Sequence, residues 1–173
     1  RVRDRATDAH PTATVTVDVP EAAEVWCAAG GDAVVWELVE NGIVHNDANA
    51  RVHLAVVETG DAVWLHVADD GPGIDADNGA LFTPGSTGDQ GLGLYLVGTL
   101  VRYARGEVHV SAPEEVDTLP GIDGDSVIPA VVDDGGVCVR LRFRPAERHQ
   151  PSTPAADRTG DHANDRPPGG GGD

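Results

Sequence analysis

Between residues 33 and 68 the spacing of apolar residues changes from a helical period to a strand period. From Ala33 to about His45, apolar side chains recur three and four positions apart, which predicts an amphipathic helix with one buried face. The next two segments, 52–57 and 62–68, alternate apolar and other residues, and the turn Thr59-Gly60-Asp61 joins them like a hairpin. A helix followed directly by two strands restricts the chain to folds that mix both element types.

The segments on either side of this helix and hairpin continue the same alternation. Asp32 follows a Gly-Gly turn and is placed to cap the first helix. The order strand, helix, two strands, loop, helix, two strands predicts an α+β fold, a two-layer sandwich of a mixed sheet with helices on one face. The further predicted elements are strands at 13–19, 24–28, 107–110 and 137–143 and a helix at 92–103.

A single folded domain of roughly 130 residues accounts for the chain. We expect residues 1–11, which are polar and aperiodic, to be a linker from a missing N-terminal segment. The domain at 12–145 contains a lid at 75–89, rich in glycine and poor in apolar anchors. It also contains an acidic insertion at 111–136, and the tail at 146–173 is predicted to be disordered because it lacks apolar residues to bury.

The charge balance excludes several kinds of partner. All 12 basic residues are Arg against 29 Asp and Glu, a net charge of −17, which disfavours direct nucleic-acid binding and excludes a lysine-based phosphate loop. An acidic excess without Lys indicates adaptation to a salt-saturated cytoplasm, where ions screen carboxylate repulsion. With no leader and no apolar run of about 20 residues, this piece is expected in the cytoplasm without membrane contact, whether or not a membrane sensor lies upstream.

Glu37 and Asn41 lie four residues apart on the predicted helix, so both side chains fall on one face, one turn apart. In nucleotide sites Mg²⁺ takes one or two protein oxygens while phosphates and waters complete its shell, which suits the Asn41 amide oxygen. Glu37 could orient an attacking water or hydroxyl. A solvated polar helix face would give the same pattern, so the pair alone leaves both interpretations open.

Two glycine-containing segments follow the hairpin. Asp69 stands where the second strand ends, and Gly71 and Gly73 allow the backbone to approach a planar ligand. An ionised carboxylate only accepts hydrogen bonds, so Asp69 matches the exocyclic amino group of adenine, although a tight acidic turn would contain the same residues. The segment 88–94 leads into a helix, where free backbone N–H groups and the helix dipole favour phosphate.

In this order, from about Thr12 to Pro145, the three clusters resemble the N, G1 and G2 boxes of the GHKL ATPase superfamily. Within it the chain is most similar to the catalytic ATP-binding domains of sensor histidine kinases, especially those of halophilic archaea, which implies their two-layer α/β sandwich. The motifs that carry the resemblance are Glu37-Leu-Val-Glu-Asn41, Asp69-Asp-Gly71-Pro-Gly73-Ile74, Leu81-Phe82 and Gly91-Leu92-Gly93-Leu-Tyr-Leu-Val.

The resemblance implies a function and a set of roles. Asn41 would hold Mg²⁺, Glu37 would be the catalytic acidic residue and Asp69 would recognise adenine. ATP would donate its γ-phosphoryl group to a His on dimerisation helices that are missing here, without which the domain is expected to be inactive, and a response regulator would receive it next. The further nucleotide contacts that the resemblance implies are His45, Gly71, Gly73, Ile74, Phe82, Gly91, Leu92 and Gly93.

Two positions depart from the family pattern. Val44 stands where many relatives carry Lys or Arg near the phosphates, and Asp89 replaces the first glycine of the usual G2 triplet. These two positions suggest a degenerate nucleotide-binding module without phosphotransfer as one alternative. An anti-sigma-type serine kinase, whose N box also pairs Glu with Asn, is another. Outside the motifs, His53 and His66 alternate with apolar strand positions, which predicts a place on the sheet surface rather than at a metal.

Overall fold

A mixed sheet of five strands in the order β1-β2-β3-β5-β4 forms the centre of the fold. The first strand runs parallel to the second, and the other neighbours are antiparallel. This computed structural model describes residues 1–21, 23–25, 30–46, 49–74, 82, 92–123, 125–133 and 135–146. The strands are β1 (Thr14–Asp18), β2 (Arg51–Thr59), β3 (Ala62–Asp69), β4 (Glu107–Ser111) and β5 (Val137–Phe143).

Five helices accompany the sheet within the described residues. The predicted α+β class and mixed sheet are confirmed, and the boundaries of the hairpin strands and of the two long helices lie within about two residues of those predicted. None of these helices is long and apolar enough to cross a lipid bilayer. The helices are α1 (Val2–Ala9), α2 (Gly31–Val44), α3 (Leu92–Tyr103), α4 (Pro113–Val116) and α5 (Ile128–Val132).

Helices α2 and α3 cover one face of the sheet and form the main core with it. The apolar stripe of α2 buries Val34, Leu38 and Ile43, as its periodicity predicts. The predicted cap is wrong, because Gly30 precedes the helix in the left-handed region at φ 110° and no side chain caps the first turn. Asp32 instead lies inside that turn, where its negative charge still favours the helix dipole.

Residues 2–9 form helix α1 where the sequence predicted an aperiodic linker. Ala6 is fully buried in the main core, and the guanidinium carbon of Arg5 lies 3.7 Å from the centre of the Trp36 ring. A helix this short is marginal in isolation, so these contacts with the rest of the domain stabilise it. The sequence pattern missed α1 because Ala6 is its one buried position.

The acidic insertion, residues 111–136, covers part of the opposite face of the sheet, so the prediction of helices on one face is wrong. Helices α4 and α5 of the insertion pack there and form a second core with the sheet. Side chains alternate along a strand, so the strand residues of this second core point away from the main one. The second core contains Ala55, Ala68, Val116, Leu119, Ile128, Val131, Val132 and Cys138.

Two histidines on this second face are buried, although the sequence predicted them on the surface. His66 is 0% exposed, and burial together with the charge of Arg140 lowers its pKa to about 4. His53 is also buried, and its Nδ1 lies 2.7 Å from the Thr16 hydroxyl oxygen. Burial under a neighbouring layer cannot be deduced from the two-residue period of the strands.

Several predictions concern residues outside those described. Of the predicted strand at 24–28, Val25 forms an isolated bridge with Pro145, whereas 26–28 lie outside the described residues. The same holds for the predicted lid at 75–89, apart from Phe82, and for the predicted disordered tail at 146–173, apart from Ala146.

Candidate active site

Asp69 ends strand β3 and its side chain rests against helix α2. A methyl group on Gly42 would lie 3.1 Å from the Asp69 Cβ and 3.4 Å from its Oδ2, so the absence of a side chain at Gly42 makes room for the carboxylate. The backbone N–H of Gly71 donates to Asp69 Oδ1 at 3.0 Å. Burial raises the pKa of Asp69 to about 6, against the lowering effect of the Gly71 hydrogen bond. Asp69 thus provides a partly buried hydrogen-bond acceptor at the end of β3.

The neighbouring Asp70 holds the turn together instead of facing the site. Its Oδ2 accepts from the Arg51 side chain at 2.8 Å, and its Oδ1 accepts from the Arg51 backbone N–H at 2.7 Å. Asn46 donates to the same Oδ1 at 2.9 Å and to the Gly42 carbonyl at 3.0 Å. Asn46 therefore joins the end of α2 to the turn after β3. This positioning role of Asn46 was not predicted, although an Asn just after the predicted helix was the available signal.

The turn after Asp69 requires two of its glycines for steric reasons. A methyl group on Gly71 would lie 2.8 Å from both the Asn46 and the Asp69 Oδ1 atoms. Gly73 has a φ of +75°, and a methyl group there would lie 2.7 Å from the Gly135 carbonyl oxygen. Both glycines are therefore needed for packing within the protein, and the predicted close approach of the backbone to a planar ligand stays a prediction.

Glu37 and Asn41 face the start of helix α3, on the side of α2 away from its apolar stripe. A methyl group on Gly93 would lie 2.5 Å from Glu37 Oε2 and 3.6 Å from Asn41 Nδ2. The Nδ2 atom of Asn41 is buried without a hydrogen-bond partner among the described residues. Because the amide oxygen and nitrogen exchange by rotation, either can take this position, so Asn41 has an unused polar group for a ligand.

The remaining predicted contacts lie at different depths. Phe82 is buried at 3% exposure, and its ring packs against Gly98 of α3. His45 is exposed directly after α2, and Leu92 is 73% exposed at the start of α3. Gly91 lies outside the described residues.

A cavity of about 420 Å³ opens beside the glycine turn. One wall is formed by residues 72–74, and Ile74 is the last residue of that turn. Val110 and Val137 also line it, together with Ala112, Pro113, Glu115, Gly135 and Gly136 of the acidic insertion. This volume lies within the usual range for small-molecule sites.

Residues 32–147 match the family model HATPase_c, described as histidine kinase-, DNA gyrase B-, and HSP90-like ATPase. The chain belongs to this family. The match spans more than half of the chain and includes all the residues placed above in the site. The HATPase_c assignment agrees with the resemblance stated from the N, G1 and G2 boxes. No curated protein shows significant sequence similarity to the chain.

Solved structures with the same fold include several histidine kinases. The mycobacterial sensor histidine kinase MprB has a TM-score of 0.61 at 20% identity, covering 84% of this chain and 92% of that one. The ATP-binding domain of PrrB from Mycobacterium tuberculosis has a TM-score of 0.61 at 22% identity, covering 84% and 90%. The catalytic domain of histidine kinase ThkA has a TM-score of 0.63 at 16% identity, covering 84% and 90%. The chain therefore has the fold of histidine kinase catalytic ATP-binding domains, as predicted.

Proposed function

We propose that this HATPase_c domain is the catalytic ATP-binding domain of a two-component sensor histidine kinase. It would transfer the γ-phosphoryl group of ATP to a His on dimerisation helices outside this chain, and a response regulator would receive the group next. The observation that supports the proposal is that helix α2 contacts Asp69 through Gly42 and contacts the start of α3 through Glu37 and Asn41.

Asp69 is suited to recognise the base. Its carboxylate is partly buried and, among the described residues, receives one hydrogen bond, on Oδ1 from Gly71, so Oδ2 is left as an acceptor for the base. Above its pKa of about 6 the group is mainly ionised and only accepts hydrogen bonds. The 6-amino group of adenine is a donor, whereas guanine has a carbonyl at that position. The expected nucleotide is therefore ATP.

Asn41 and the start of α3 are suited to the triphosphate. No group of three or more His, Cys, Asp or Glu side chains forms a metal site among the described residues. A Mg²⁺ ion held by the Asn41 amide oxygen would thus take its other ligands from phosphates and water, as Mg²⁺ in nucleotide sites does. Bound there, the ion would neutralise part of the triphosphate charge. Backbone N–H groups of Leu92 and Gly93 in the first turn of α3 would provide the further positive potential.

Glu37 would be the acidic residue closest to the transferred group. Its carboxylate lies against Gly93, where the phosphates would approach the start of α3. From this position it would orient the imidazole of the acceptor His and hold its proton as the new N–P bond forms. Catalysis would otherwise depend on holding the donor and the acceptor in line.

A nucleotide-binding module without phosphotransfer is the second candidate function. Val44, one turn beyond Asn41, is 59% exposed and offers no positive charge where relatives carry one. The complete lack of Lys and the net charge of −17 also support a cytoplasm of high salt concentration as the working environment. The experiment is therefore carried out in concentrated salt, and nucleotide binding and phosphotransfer are measured separately.

The test is calorimetry of Mg·ATP binding in concentrated KCl with the native chain, Asp69→Asn and Asp8→Asn. Asp8 is exposed on α1, so its variant makes the same charge change away from the site. We expect binding by the native chain and by Asp8→Asn, and at least a hundredfold weaker binding by Asp69→Asn. Binding without transfer to a His-bearing dimerisation segment supplied in trans would favour the second candidate. A folded native chain that binds no Mg·ATP would contradict both.

A further inference from the structure

The acidic insertion begins and ends at the cavity beside Asp69. Pro113 and Glu115 line the cavity near the start of the insertion, and Gly135 and Gly136 line it at the end, opposite the turn 72–74. The Gly135 carbonyl oxygen packs against Gly73, and Gly136 lies so close to the Asp69 carbonyl group that a side chain would not fit. The insertion is therefore in direct contact with the turn that carries the base-recognition residue.

Strand register places two residues that line this cavity on the same face of the sheet as Asp69. Asp69 is paired with Val137 across β3 and β5, and Val139 is paired with Val110 across β5 and β4. Paired residues share a face, and alternate residues on one strand return to it. Val137 and Val110, which line the cavity, thus lie on the face from which the Asp69 side chain projects. A base bound at Asp69 would extend over Val137 toward the insertion.

The second core holds this part of the insertion in place. Val116, the residue after Glu115, is 0% exposed and packs in the cluster that includes Ile128 and Cys138. Glu115 itself is exposed at the edge of the cavity. The burial of Val116 fixes the backbone of Glu115 at the cavity, and the exposed Glu115 carboxylate also interacts electrostatically with Arg140 of β5.

We propose that Glu115 is a specificity residue of the base pocket and that it favours purines carrying an amino group at position 2 in addition to position 6. This inference rests on the proposed function, because it places the 6-amino group at Asp69. With the 6-amino group at Asp69, the edge of the purine ring that carries position 2 would face Val137 and the insertion residues that line the cavity. An ionised carboxylate accepts hydrogen bonds and donates none, so a 2-amino group is the matching partner for Glu115. The substrate class is 6-aminopurine nucleoside triphosphates, of which the 2,6-diaminopurine form binds most tightly.

The test compares ATP with 2-aminoadenosine 5′-triphosphate, both as Mg²⁺ complexes, by calorimetry on the full chain. We expect the native chain to bind the diamino nucleotide about fivefold more tightly than ATP, as a partly exposed hydrogen bond to a charged group allows. Glu115→Ala should bring the ratio of the two dissociation constants close to one, and Glu115→Gln, which keeps an acceptor oxygen, should leave an intermediate ratio.

Glu114→Ala is the matched control, because Glu114 precedes Glu115 on α4 and is exposed but does not line the cavity. It removes the same charge and should leave the preference unchanged. Equal affinities for the two nucleotides in the native chain, or a preference that Glu114→Ala abolishes as fully as Glu115→Ala, would overturn the role of Glu115 and leave the proposed function standing. A native chain that binds neither nucleotide would overturn both.

Discussion

The two faces of the sheet are covered in different ways. The face under α2 and α3 carries apolar strand residues such as Val52, Val67 and Leu141, and Glu37 and Asn41 lie at the contact of these two helices. The opposite face carries the buried His53 and His66 together with Ala55 and Ala68, and short helices of the acidic insertion cover part of it.

This difference shows how far strand polarity predicts burial. On the first face apolar strand residues meet the apolar stripes of two long helices, so pattern and burial agree. On the second face polar residues are buried because the short helices of the acidic insertion pack over them. We expect nucleotide binding at the first face and a mainly structural role for the core of the second face. Four experiments test this comparison.

The largest effect is expected from Asn41→Asp on the first face. The new carboxylate would face Glu37 and the triphosphate, so charge repulsion opposes binding of the donor. We expect phosphotransfer from ATP to a His-bearing dimerisation segment in trans to fall more than a hundredfold, measured with radiolabelled ATP. Asn49→Asp, at an exposed position after α2, is the control and should transfer normally. Normal transfer by Asn41→Asp would contradict the assignment of the nucleotide site to this face.

The next effect concerns the second core. Ile128 is fully buried there, and Ile128→Ala should lower the free energy of unfolding by about 3 kcal/mol because it leaves a cavity. Its neighbour Val127 is 48% exposed, so Val127→Ala should change stability by less than about 0.5 kcal/mol. Urea denaturation measures both. Equal, small effects would mean that the insertion does not pack on the sheet.

The two faces should also respond to pH in opposite directions. The pKa of Asp69 is raised to about 6, so its contribution to stability is present at low pH and is lost as the pH rises through 6. The pKa of His66 is lowered to about 4, so its contribution is present above 6.5 and is lost as the pH falls toward 4. Each amounts to about 2 kcal/mol between pH 4.5 and 7.5.

Urea denaturation across this pH range separates the two groups. Relative to the native chain, Asp69→Asn should gain stability as the pH rises, and His66→Phe should gain it as the pH falls. Arg140, whose charge helps to lower the pKa of His66, stays in place in both variants. Parallel curves for the native chain and His66→Phe would show that His66 is accessible to solvent.

The smallest effect tests the other element that the sequence pattern missed. Arg5→Ala removes the guanidinium from the Trp36 ring and should cost about 0.5–1 kcal/mol, since the pair is near the surface. Arg3→Ala, also exposed on α1, is the control and should cost less. Thermal unfolding measures both, and equal costs would mean that the ring contact contributes nothing.

Some of the fold and site could be predicted because the signal lies within a few residues. The helical stripe of α2, the hairpin of β2 and β3 and the spacing of Glu37 and Asn41 are local, and each is found as expected. The helix that replaces the predicted linker could not be predicted, because Ala6 is its one buried residue and gives no periodic apolar pattern. The cap at Gly30 was missed because its φ of 110° depends on how the chain enters α2.

By itself the sequence determined the α+β class, the order of the elements and the set of polar and glycine residues proposed for the nucleotide site. Periodicity and chain order carry that information, since each depends on neighbours along the chain. Only the tertiary structure decided that the acidic insertion covers the second face, that His66 is buried there and that Glu115 lines the cavity beside Asp69. These facts depend on contacts between residues far apart in the chain, where burial and desolvation arise from the packing of whole layers.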